Sequence, residues 1–158
     1  MRINLLKLFA IAALSASWWT LSAAQPDGLS DVEQAGWNEG RDDINDGLMD
    51  PPTTLEDLAY CSVVWFDWQE ELKETNRQAV PAALDLKSAE THSWGYEKVF
   101  EMTAQQQRPD WTGTAASFGP YLDAMAEVKE AKESFPDEFF WALAWCYRED
   151  LFQKSREN

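Results

Sequence analysis

Two cysteines, 85 positions apart, lie in the two most apolar and aromatic stretches of this chain. Cys61 falls within 59–68 (Ala-Tyr-Cys-Ser-Val-Val-Trp-Phe-Asp-Trp) and Cys146 within 139–147 (Phe-Phe-Trp-Ala-Leu-Ala-Trp-Cys-Tyr). Neither belongs to a Cys-x-x-Cys pair, so disulfide-exchange chemistry and c-type haem attachment are poorly supported. In an oxidising compartment two such residues most simply form one intramolecular bridge. Closing so long a loop stabilises a fold by roughly 4 kcal/mol through the entropy it removes from the unfolded chain. The bridge therefore predicts that the two apolar segments are core helices packed against each other.

The first 24 residues read as a secretion signal. Arg2 and Lys7 make a basic start, an apolar run begins at Leu8, and Ser22-Ala23-Ala24 offers small residues for cleavage before Gln25. The run is short for a membrane span and serines interrupt it. The expected product is one acidic helical domain, 25–158, exported to a periplasm or extracellular space, with 25–53 loosely packed and no stable membrane insertion after cleavage. Without Arg2 and Lys7, eleven basic residues stand against 28 acidic ones, a net charge of −17. Such a surface repels nucleic acid and anionic lipid and favours cationic partners.

Helical spacing dominates the pattern, and no stretch alternates with period two. Residues 29–46 make a weaker helix, interrupted by Gly36 and Gly40. Residues 54–76 make the best-signalled one, capped at Thr53 or Thr54 with Glu56 or Asp57 three residues on. A third runs over 82–107 after Pro81, a fourth over 120–133, and a last from Phe135 to about Lys154. Between the third and fourth, a loop is expected to be pinned by Trp111 and Phe118. The fold class is thus all-α: an antiparallel bundle of four main helices plus the weaker N-terminal one, stapled by one disulfide.

Chemistry is sparsely signalled. His92 is the sole histidine and lacks companions at metal-ligand spacing. At the edge of a helical face it reads as half-exposed. Asp42-Asp43-Ile44-Asn45-Asp46-Gly47 resembles a calcium loop, but Ile44 and Thr53 occupy two required ligand positions. Nucleophile-elbow and phosphate-cradling motifs are missing, and no catalytic residue, metal or cofactor is assigned. Paired carboxylates beside aromatics (Asp67 with Glu70, Glu97 with Glu101) suit a glycan hydrolase in principle, yet read better as solvated helix faces. Asp67 interrupts an apolar run and calls for a basic partner, with Arg148 or Lys154 as candidates.

Seven tryptophans follow residue 24. Trp65, Trp68, Trp141 and Trp145 are expected in the core around the cysteines. Trp37, Trp94 and Trp111 sit in more polar settings and are the candidates for an exposed binding patch. The function these features favour is non-catalytic capture of a basic protein partner, in an inhibitory, immunity or chaperone-like role. A bundle that holds a small ligand, and a cell-wall glycan hydrolase, are the alternatives.

Overall fold

The computed structural model describes residues 28–75, 77–110 and 119–149. The first 24 residues, read above as a secretion signal, the segment with Trp111 and Phe118, and Lys154 lie outside these residues. Five α-helices follow one another: α1 (Asp31–Asn45), α2 (Leu55–Thr75), α3 (Leu86–Gln107), α4 (Gly119–Ser134) and α5 (Pro136–Trp145). A short 3-10 turn, Ala82–Leu84, precedes α3. Among the described residues there is no strand, and no helix is long and apolar enough to cross a membrane.

Local chemistry sets the helix starts. Ser30 and Glu33 form a reciprocal capping box at α1. Thr54 and Asp57 do the same for α2: the Asp57 amide donates to Thr54 Oγ1, and the Thr54 amide donates to Asp57 Oδ2. The expected start of α3 at residue 82 shifts to Leu86, because Asp85 accepts from the Ser88 amide at 2.7 Å and so becomes the N-cap. Pro136 opens α5. That helix ends at Trp145, well before Lys154, with Cys146 as its cap.

Contacts between named residues fix the directions. Trp68 Nε1 donates to the Leu84 carbonyl, and Trp65 stacks on His92, so α2 and α3 run antiparallel. Cys61 is bonded to Cys146, and Trp68 packs edge-on against Phe140, so α2 and α5 do the same. Lys132 reaches both Asp67 and Glu71, and Tyr121 bonds Ser62, which sets α4 beside α2 and parallel to it. Together α2 to α5 make the four-helix bundle, with α2 touching all three others. The interior between them is filled by Trp65, Trp68, Tyr96, Phe100, Phe139, Phe140 and Leu143. Tyr96 adds a tie, donating its hydroxyl to the Cys146 carbonyl at 2.7 Å.

The disulfide joins Cys61 and Cys146 with their Cα atoms 5.4 Å apart, and both residues are fully buried. The two most apolar helices meet at the bundle centre, as their hydrophobicity requires.

The segment read as loosely packed is not loose over α1. This helix lies along α5, parallel to it, through Gly36 and Gly40. A Cβ at Gly36 would come within 2.7 Å of the Asp137 carbonyl carbon and closer still to its oxygen. One at Gly40 would lie 2.6 Å from the Trp141 carbonyl oxygen. Helix propensity alone would make Gly→Ala stabilising by about 0.5–1 kcal/mol. Here backbone opposes backbone and neither can swing away. Gly36→Ala is therefore expected to destabilise by roughly 2 kcal/mol, measured by urea denaturation. A gain in stability would show that α1 is not seated this closely.

A buried arginine secures the start of α1. The Arg77 side chain is 3% exposed and pairs in bidentate fashion with Glu33, at 2.7 and 3.1 Å. It also bonds Glu71 at 2.8 Å and the Gly28 carbonyl at 3.0 Å. Glu33 thus serves both as the capping-box acid and as the anchor of α1 to the end of α2.

Candidate functional site: an acidic cleft with aromatic walls

Among the tryptophans proposed as a surface patch, Trp37 is 7% exposed and packs edge-on against Tyr147. It is a core side chain, because Gly36 and Gly40 bring α1 close enough to α5 to cover it. Trp94 is 57% exposed on α3, and Trp111 lies outside the described residues. The structure does not bring Trp37 and Trp94 together on a surface.

Tyr60, Trp141 and Trp145, all half-buried, border a cavity, and the exposed Phe135 lies at its edge. Two adjoining clefts, of about 650 and 290 Å³, share Tyr60, Glu127 and Trp141. The larger one sits where α2, α4 and α5 meet the edge of α1, and Glu39, Glu130, Asp137 and Glu138 line it. The smaller one continues past Trp145 toward Glu56, Asp57 and Met49. Volumes of this order are typical of clefts that admit a small group or side chain.

Helix spacing explains the aromatic wall. Glu138, Trp141 and Trp145 stand at i, i+3 and i+7 on α5 and share one face. Trp141 and Trp145 lie with ring centres 6.1 Å apart and planes 21° from parallel. Tyr60 meets Trp145 at 6.3 Å. Each indole N–H is already used: Trp141 donates to Asp43 Oδ2 at 2.8 Å and Trp145 to the Asp50 carbonyl at 2.9 Å. Both rings are thereby held in orientation from α1 and the loop that follows it.

The cleft is electrostatically one-sided. No lysine or arginine among the described residues lines it. Among the described residues, none of its carboxylates forms an ion pair with a basic side chain. The field is felt by Tyr60, whose phenol is pushed up to about 12 by burial and then by the nearby charges of Glu127 and Glu138. A third cleft, by Lys129 and Lys132, differs in kind: Lys132 neutralises Asp67 and Glu71 there.

The remaining candidates are engaged elsewhere. Asp67 pairs with Lys132 of α4 at 2.5 Å, because α4 flanks that face of α2; of the partners expected for it, Lys154 lies outside the described residues. Glu70 pairs with Lys73, and Glu101 with Lys98, as short-range helix-surface pairs. His92 is 4% exposed, its ring stacked on Trp65 at 4.3 Å and on Tyr147 at 4.9 Å. Its Nδ1 lies 2.8 Å from the Ser88 carbonyl, so that nitrogen donates and the ring is a core element. Asp42 and Asp43 of the calcium-like segment belong to the last turn of α1. Among the described residues no group of three or more His, Cys, Asp or Glu is arranged to hold a metal ion. Comparison with protein-family models, curated proteins and solved structures returns no match.

Proposed function

We propose that this protein is an exported, non-catalytic binding protein that captures a basic protein partner in the cleft between α2, α4 and α5. The observation that carries the reading is the set of uncompensated carboxylates around Tyr60, Trp141 and Trp145. Aromatic residues supply contact area at interfaces, and charge complementarity speeds encounter and rejects acidic competitors. The chain's net charge of −15 adds a long-range field of the same sign. A buried disulfide is compatible with the oxidising compartment that export implies.

The test is capture of basic proteins from the exported fraction, by the natural protein and by a Glu127→Gln, Glu138→Gln variant. The natural protein is expected to retain its partner at low salt and to lose roughly tenfold in affinity as salt rises to a few tenths molar. The variant is expected to bind less tightly at every salt concentration. Capture that ignores both salt and the two substitutions would refute the reading.

A further inference from the structure

We propose that the cleft is built around one arginine side chain of the partner, its guanidinium laid on the Tyr60–Trp141–Trp145 wall and held between Glu127 and Glu138. This rests on the reading of a basic partner and names the group that it presents. Tyr60 and Trp141 border both clefts, so the aromatic wall is continuous where the two volumes join. Glu127 from α4 and Glu138 from α5 both line the larger cleft with Tyr60 and Trp141, and both act on the Tyr60 phenol, so two acceptors from different helices stand near that ring. The indole N–H groups are turned away to Asp43 and Asp50 and do not compete for those carboxylates.

The choice of arginine over lysine follows from shape and hydration. A guanidinium is planar, stacks on an aromatic face, and carries five donors in a fixed fork that can serve two carboxylates at once. An ammonium is a compact point charge and is more strongly hydrated, so it gives up more on entering a half-buried cleft. An acidic surface alone would treat the two alike. The aromatic wall is what separates them.

The experiment compares end-blocked tetra-arginine and tetra-lysine peptides of equal charge, titrated against the disulfide-bonded protein and followed by tryptophan fluorescence and calorimetry. Tetra-arginine is expected to bind roughly tenfold tighter than tetra-lysine. Tyr60→Leu and Trp145→Leu should bring the two affinities together, whereas Tyr60→Phe, which keeps the ring, should preserve the preference. The Tyr60 pair carries the test should Trp145→Leu fail to fold by circular dichroism. Equal, salt-sensitive binding of both peptides would overturn the arginine seat and leave capture of a basic partner standing. Absence of binding by either peptide would overturn both.

Discussion

Replacing Cys61 and Cys146 together by alanine is expected to lower stability by about 4 kcal/mol, the entropy of closing an 85-residue separation. Single domains are stable by only about 5–15 kcal/mol, so the loss should move the urea midpoint far more than any surface change. The closed loop holds most of α2, all of α3 and α4, and α5; α1 lies outside it. The substitution should therefore loosen the four-helix bundle as a unit. Both sulfurs are fully buried in a packed centre, so a reductant should act on the native protein slowly and on the unfolded protein fast. A shift below about 1 kcal/mol would mean that the unfolded chain is already compact enough to bring these segments together.

Arg77→Met is expected to cost about 3 kcal/mol, since it strands Glu33 and Glu71 at a site where the arginine side chain is 3% exposed and each glutamate 14%. Lys132 stands 3.2 Å from Glu71 and relieves part of that charge, but Glu33 has no second cation in contact among the described residues. Adding Glu33→Gln should recover part of the loss in a double-mutant cycle. Burial works to raise the Glu33 pKa, yet the hydrogen bonds from Arg77 and Ser30 outweigh it, and the net shift is downward from 4.5. A depressed carboxylate contributes stability above its unfolded value and loses it as pH falls through the folded one. Stability should hold from neutrality down to about 4.5 and decline below it, and Arg77→Met should flatten that decline. An unchanged acid limb in the variant would contradict the assignment.

Much of this architecture is legible in the residues. Periodicity and caps locate α2 and α4 within a residue or two, and the apolar surroundings of Cys61 and Cys146 identify partners 85 positions apart. Gly36 and Gly40 are less transparent. Propensity counts them against a helix, and only the close approach of α5 reveals why a side chain is excluded there. Trp37 misleads for the same reason: its polar neighbours suggest a surface, and the helix that covers it lies a hundred positions away. The cleft is harder still to read. Its acids come from four helices and are individually ordinary among 28. The one local signal is the i, i+3, i+7 spacing of Glu138, Trp141 and Trp145.

The tethering of Trp141 to Asp43 and of Trp145 to Asp50 bears on how a guest would be received. Freezing a mobile side chain at an interface costs about 0.5–1.5 kcal/mol, and these two indoles have surrendered that freedom during folding. Association would then be opposed mainly by the disorder that the visitor itself gives up, so a stiff guest should gain more than a floppy one of identical charge.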